Sequence, residues 1–253
     1  MSELRLFLTA VQYFTRIPVP AWVGHSADQL NAAARWFPAV GIGVGAAAAL
    51  SYAVVAVTGA LPLALVLSTA TSVWLTGAFH EDGLADTADG LGGGYTRERA
   101  LEIMKDSRIG TYGMVALALT LATKITALHA LPTLAPAALV ASHALSRLMA
   151  VTIIARQSYV REDSSSRAKP LSHAISPTGL AVATLTGLAP LALLGLRALP
   201  MLGAAVLARL WLGGLFARRL GGYTGDCLGA TQQVCEAAGY VGLVLGTTML
   251  SWS

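Results

Sequence analysis

The chain has 253 residues, 55% of them hydrophobic and only 12% charged, with a net charge of +4 and a mean hydropathy of +0.63. A soluble domain carries roughly 25% charged residues, so this composition excludes an ordinary soluble protein and, more firmly, a disordered one. The pI of 9.3 is no sign of nucleic-acid binding, because Lys and Arg flanking membrane spans raise it unaided.

Residues 1–35 come first. Glu3 and Arg5 precede a short apolar stretch, Leu6 to Phe14, which meets Arg16, Pro18 and Pro20. No small-residue cleavage site follows, so a surface-lying or shallowly re-entrant helix is expected rather than a signal peptide. Beyond it lie long uncharged runs: 44 residues from Trp36 to Phe79, 22 between Lys124 and Arg147, 27 from Pro170 to Leu196, and 17 from Ala237 to Ser253. About 20 apolar residues cross a bilayer as a helix. The expected fold is an all-α, polytopic transmembrane bundle of about six to eight spans, one integral-membrane domain over 1–253. Breaks at Pro, Gly and charge outline Pro38–Gly59, Pro62–Phe79, Thr111–Leu131, Pro136–Ala155, Pro177–Leu196, Leu199–Phe216 and Ala238–Trp252. Gly41, Gly43 and Gly45, and later Gly213 and Gly214, read as close helix-packing positions.

The links near Ala60, Pro132 and Arg197 are short, whereas those at 80–110, 156–176 and 217–237 are longer and polar. The three longer links hold Arg97, Arg99, Lys105, Arg108, Arg156, Arg161, Arg167, Lys169, Arg218 and Arg219; the opposite side holds Arg197. Positive charge on one side places these links in the cytoplasm, so catalytic loops converge on that face. Lys124, Arg147 and Arg209 fall inside spans and should face a cavity or the bundle interior; His129 and His143 read as structural. Cys227 and Cys235 are too few for a disulfide framework and read as reduced thiols.

Seven of the thirteen carboxylates lie between Glu81 and Asp106. Asp82, Asp86 and Asp89 are spaced i, i+4, i+7, which stacks them along one helix face. Three like charges repel unless a cation offsets them, and no Lys or Arg occurs from His80 to Thr96. Oxygen-only ligands point to a hard divalent ion, Mg²⁺ or Mn²⁺; a solvated acidic face is the plainer alternative. Gly92, Gly93 and Gly94, after Gly90, are expected to end the helix and expose backbone N–H groups to phosphate. No Gly-Lys-Ser/Thr follows, so this is no Walker loop, and Leu84 stands where a zinc protease would place its second His. Arg97 to Asp106 reads as a short amphipathic helix with Ala100, Leu101, Ile103 and Met104 inward. It ends in Lys105-Asp106-Ser107-Arg108, where Asp106 adds a metal oxygen and Lys105 and Arg108 hold phosphate oxygens. Asp226, in a Gly-rich stretch within 217–237, closes the site, and Arg161 to Lys169 reads as a lid or a linker. Together these describe metal-assisted phosphoryl transfer at a membrane face.

The segment from Thr76 to Gly93, with His80-Glu-Asp-Gly-Leu-Ala-Asp-Thr-Ala-Asp-Gly90 at its centre, resembles the signature of the cobalamin synthase (adenosylcobinamide-GDP ribazoletransferase) family. Phe14–Pro20, Arg35–Gly41, Ala100–Gly113 and Gly222–Ala230 resemble it too, in order and over nearly the whole chain. The resemblance implies a Mg²⁺-dependent enzyme of the bacterial inner membrane. It would join adenosylcobinamide-GDP to α-ribazole, or its 5′-phosphate, and release GMP. In this reading Asp82, Asp86, Asp89 and Asp106 hold Mg²⁺ on the diphosphate and the 5′-hydroxyl of α-ribazole attacks the cobinamide-linked phosphorus. His80 or a carboxylate such as Asp82 takes its proton. Lys105 and Arg108 steady the phosphates, with Arg16, Arg35, Ser107, Asp226 and the Gly92–Gly94 turn around the substrate. A homo-oligomer, or association with other late enzymes of the pathway, stays open. Two further readings stay open at this point: a CDP-alcohol phosphotransferase, which shares Asp86-x-x-Asp89-Gly90, and an ion-coupled transporter built on Lys124, Arg147 and the acidic stripe.

Overall fold

The computed structural model describes residues 1–160 and 175–250, the side chains of 249 and 250 apart. The Arg161 to Lys169 segment and Trp252 lie outside the described residues. The fold is an all-α bundle. Among the described residues, extended pairing is confined to a bridge where Val160 N donates to Tyr223 O and Tyr223 N to Ser158 O, each at 3.0 Å.

Helix α1 (Glu3–Phe14) is capped by the Ser2 hydroxyl and buries Leu6, Thr9, Ala10 and Phe14. It packs on α2 (Ala27–Ala33) and α3 (Phe37–Ala56), so residues 1–35 fold onto the bundle. Proline opens α3, α4 (Leu61–Thr76), α8 (Ala135–Ile154) and α9 (Pro177–Leu188) within the first two residues, where its missing N–H costs no helical bond. Helix α8 is the central post, with sixteen of its twenty residues buried. Its closest neighbour is α3: a Cβ on Gly41 would run into the His143 carbonyl, and one on Gly45 would stand 2.7 Å from the Leu139 carbonyl. Gly43 meets nothing within 4 Å, so two of the three glycines on α3 are the contact.

Four helical stretches are long and apolar enough to cross a membrane: Ala27–Ala56, Thr111–His129 (α7), Ala135–Ile154 and Pro177–Leu220; the bent pair Leu61–Thr76 and Phe79–Gly93 makes a fifth if taken together. The sequence outlined more, and the differences have physical causes. Pro177–Leu196 and Leu199–Phe216 fall within one 44-residue stretch, made of α9, a 3₁₀ segment kinked at Gly195 and α10 (Ala198–Leu220). At 1.5 Å per α-helical and about 2 Å per 3₁₀ residue the stretch traces about 70 Å of chain, more than twice a hydrocarbon core of about 30 Å, and it bends at Gly195. The polar link 217–237 is not a loop. Helix α10 runs to Leu220 and α11 (Gly225–Leu250) starts after a short turn, so Ala238–Trp252 is the continuation of a helix with a polar first half.

The segment 80–110 is helical too. Gly77 (φ +67°) and Ala78 (φ +59°) both adopt the left-handed region, which a β-carbon makes costly at Ala78. That pair turns α5 (Phe79–Gly93) by 89° from α4 and lays it against α11 and α7. Helix α6 (Arg97–Ile103), capped by Thr96, follows, and a linker over 104–110 leads into α7.

Candidate active site

The acidic helix presents two faces. Asp82 is exposed, Asp86 half-buried and Asp89 buried, while His80, Glu81, Leu84 and Ala85 turn inward. Gly83 faces α11, and a Cβ there would stand 2.9 Å from the Asp226 carbonyl and 3.1 Å from Asp226 Cα. The bare glycine thus brings the first turn of α11 against α5, next to the stripe. Asp226 itself is half-buried, and Thr224 Oγ1 lies 3.4 Å from its Oδ2.

At the other end of the stripe, Asp89 Oδ2 accepts from Gly110 N at 2.7 Å and Oδ1 from Gly113 N at 2.9 Å. Gly110 is the N-cap of α7 and supplies no side-chain cap, so Asp89 caps that helix from across the interface. Asp106 and Arg108 pair within the linker: Arg108 Nη2 donates to Oδ2 at 2.6 Å and Nε to Oδ1 at 3.0 Å. The Arg108 guanidinium holds the Asp106 carboxyl down at about 2. Asp89, Gly93, Arg99, Glu102, Ile103, Asp106, Arg108 and Tyr112 line a cleft of about 530 Å³.

The residues expected at the site are therefore spread. Asp82 and Asp86 flank Gly83, which meets the Asp226 backbone; Asp89, Asp106, Arg108 and Gly93 share the cleft; Lys105 and Ser107 are exposed in the linker beside it. Among the described residues no three His, Cys, Asp or Glu side chains converge as a metal cage. Helix α5 continues through Gly92 and Gly93, so their amides belong to the helix rather than to an open phosphate turn. Gly92 lies under the Tyr112 ring and Gly94 against the Ala100 backbone. Arg16 is exposed and reaches Gly77 at the α4–α5 bend. Arg35 is tied instead to Glu3 at 3.0 Å. His80 is 3% exposed and stacks on Phe14, with ring centroids 5.3 Å apart. It points away from Asp82, because residues two apart lie on opposite sides of a helix.

A buried polar network behind α5 went largely unread in the sequence. Lys124 Nζ lies 2.7 Å from Glu236 Oε1 and donates to Gln233 Oε1 at 3.2 Å. Gln233 Nε2 donates to Glu81 Oε1 at 2.8 Å, and Gln232 Nε2 to Glu236 Oε2 at 2.6 Å. Tyr240 and His143 also approach Glu236, and Arg147 Nη1 donates to the His143 carbonyl. Lys124 and Arg147 do face the interior, and Arg209 bonds Thr152 on α8. Gln233 and Glu236 were missed because 217–237 reads as a loop, and Glu81 because it lies outside the Asp82, Asp86, Asp89 stripe. The i, i+4, i+8 spacing of Gln232, Glu236 and Tyr240 was the available signal.

Residues 6–244 match the family model for cobalamin-5-phosphate synthase. The chain belongs to that family. Relatives named adenosylcobinamide-GDP ribazoletransferase include proteins of Leptothrix cholodnii, 47% identical with 97% of each chain covered, and Shewanella piezotolerans, 44% identical with 96% of each covered. A third, from Polaromonas naphthalenivorans, is 47% identical over 97% of this chain and 99% of its own. No solved structure matches. As a member of the family the chain is an enzyme, a transferase of cobalamin biosynthesis, and its apolar helices make it a membrane protein. The match favours neither the CDP-alcohol phosphotransferase nor the transporter reading.

Proposed function

We propose that the enzyme joins adenosylcobinamide-GDP to α-ribazole, or to its 5′-phosphate, and releases GMP. The reaction would take place at the cytoplasmic face of a bacterial inner membrane. The observation that carries this reading is the α5 stripe: carboxylates running from exposed Asp82 through half-buried Asp86 to Asp89 in the wall of an open cleft with two arginines, on a helix backed by α11 at Gly83.

The donor set suits Mg²⁺ in its chemistry, since every candidate ligand is a hard oxygen. Mg²⁺ typically takes one or two carboxylates and completes its shell with water and substrate phosphate. Asp82 and Asp86, one turn apart on α5, meet that need without a closed cage. The metal role falls on these two, while Asp89 serves the α7 cap and Asp106 orients Arg108. Bound there, the ion would neutralise the diphosphate and stabilise the leaving oxygen.

The chain's own groups do the rest. Arg108, oriented by Asp106 where the stripe meets the cleft, and Lys105 beside it hold oxygens of the phosphate that leaves with GMP. An acceptor that already carries a 5′-phosphate cannot attack through its 5′-hydroxyl. The nucleophile is therefore a ribose ring hydroxyl, a change from the expectation drawn on sequence. Its oxygen bonds to the cobinamide-linked phosphorus, the bridge to the second phosphorus breaks, and GMP departs with the bridging oxygen. The hydroxyl proton passes to a carboxylate of the stripe, because His80 packs inward on Phe14. The test is turnover of Asp82→Ala and Asp86→Ala in membranes with matched protein levels. Loss of product in both is expected, and near-normal rates would remove the assignment.

A further inference from the structure

We propose that the cleft between α5, α6 and α7 is a guanine subsite, in which Tyr112 is the stacking surface and Glu102 selects the base. The inference rests on the transfer reading above, which places the diphosphate of a GDP-linked donor on the α5 stripe. Asp82 and Asp86 lie at one end of that stripe, and Asp89, at the other, is in the wall of the cleft. At 1.5 Å per residue Asp82 and Asp89 are about 10 Å apart along the helix, comparable to the reach of a nucleoside diphosphate from its second phosphate to its base. A diphosphate held at Asp82 and Asp86 thus delivers its base into the cleft. The volume of about 530 Å³ is in the range of small-molecule sites, about 300–1,000 Å³.

The cleft offers a platform and an edge. Tyr112 sits against the bare backbone of α5, since a Cβ on Gly92 would lie 2.6 Å from its ring. Backed in this way, Tyr112 is still 58% exposed and lines the cleft, and a flat ring held so is a stacking surface for a base. Three carboxylates line the cleft, but they are not equivalent. Both oxygens of Asp89 are taken by the Gly110 and Gly113 amides. Both oxygens of Asp106 are taken by Arg108. Glu102 accepts from Arg99 Nη1 at 2.7 Å through Oε2 alone, and its Oε1 has no hydrogen-bond partner among the described residues. Guanine's pairing edge runs from an acceptor, O6, to two donors, N1–H and the 2-amino group. Arg99 beside Glu102 presents the complement: a donor for O6 and a carboxylate for the two donors. Adenine reverses the order and meets like groups in the same register. Hypoxanthine lacks only the 2-amino group and forfeits one bond to Glu102.

The test is calorimetric titration of the full chain in detergent, with magnesium present, using GDP, IDP and ADP. GDP should bind roughly tenfold tighter than IDP, with ADP weaker still. Glu102→Gln, a change at an exposed residue, should erase the difference between GDP and IDP. Tyr112→Ala should weaken both alike, by roughly tenfold or more. Equal binding of GDP and IDP by the unaltered chain, no binding of either, or a preference kept by Glu102→Gln would overturn the subsite. GDP binding with this preference, but no product from adenosylcobinamide-GDP and α-ribazole, would refute the transfer reading and leave the guanine subsite standing.

Discussion

Asp89 separates two accounts of the acidic stripe. Its spacing from Asp82 and Asp86 made it a metal ligand by sequence, whereas in the structure it caps α7 through Gly110 and Gly113. A hydrogen bond to a charged acceptor contributes about 1.5–3 kcal/mol, and a carboxylate at a helix N-terminus adds about 0.3–1 kcal/mol through the macrodipole. Removal of a capping side chain typically costs about 1 kcal/mol, up to about 2. Asp89 is 8% exposed, so water replaces it poorly, and Asp89→Ala should destabilise the protein by about 2–4 kcal/mol. For a chain of this length 1 kcal/mol shifts the melting temperature by about 2–4 °C, giving a fall of about 5–15 °C. Asp89→Asn keeps one acceptor and should lose about half as much. The assay is thermal unfolding in detergent with a chelator present. A metal ligand removed from a repelling stripe would leave the metal-free protein as stable as before, or more so. An unchanged or raised melting temperature for Asp89→Ala in chelator would therefore refute the capping account.

Lys124→Met should destabilise by about 3 kcal/mol, because Glu236, at 1% side-chain exposure, loses its lysine and keeps only Gln232, Tyr240 and His143. Lys124→Met combined with Glu236→Gln should recover part of that loss, and a double variant no more stable than the single would sink the pairing. Gly83→Ala pushes a methyl against the Asp226 backbone, an overpacking worth about 1–3 kcal/mol. It should cut turnover by separating α5 from α11, and a folded variant with full activity would contradict the role given to that contact. The pH response of the linker follows from Asp106. Its carboxyl is depressed to about 2 from an ordinary 3.8, so its pairing with Arg108 is fully present above the ordinary value and lost as pH falls through about 2. Infrared titration should show Asp106 ionised at pH 4, and Arg108→Ala should return its midpoint towards 3.8.

How much of this was legible depends on whether a signal is local. The bundle was readable from uncharged runs and from prolines at helix starts. So was the stripe, because i, i+4, i+7 spacing is a property of one helix. The 89° turn into α5 was not, since it rests on Ala78 taking a left-handed conformation that its residue type disfavours. Nor was the division of labour within the stripe. Asp82 and Asp89 look alike in sequence, and what distinguishes them is that α7 brings two unpaired backbone amides to Asp89. The second half of the network was hidden for a different reason. Gln232, Gln233 and Glu236 lowered the apolarity of α11 enough for its first half to read as a polar link, although their polarity is spent inside the bundle.

That hidden half bears on the exposed one. Glu81 and Asp82 are neighbours on α5, one bonded to Gln233 in the interior and the other open to the outside. Turning α5 by one residue, about 100°, would bring Asp82 inward without a partner and take Glu81 from its own, at a cost of several kcal/mol per buried unpaired charge. The inward network therefore sets the rotation of the helix about its axis, and so decides which carboxylates meet the substrate. Lys124 and Arg147 bring positive charge to that interior, and Glu81 and Glu236 bring the negative charge that offsets it. Removing Lys124 thus disturbs more than one ion pair: it loosens Gln233, then Glu81, then the rotation of α5. On this argument the Lys124→Met protein should bind and turn over substrate less well even where it remains folded, although Lys124 does not line the cleft.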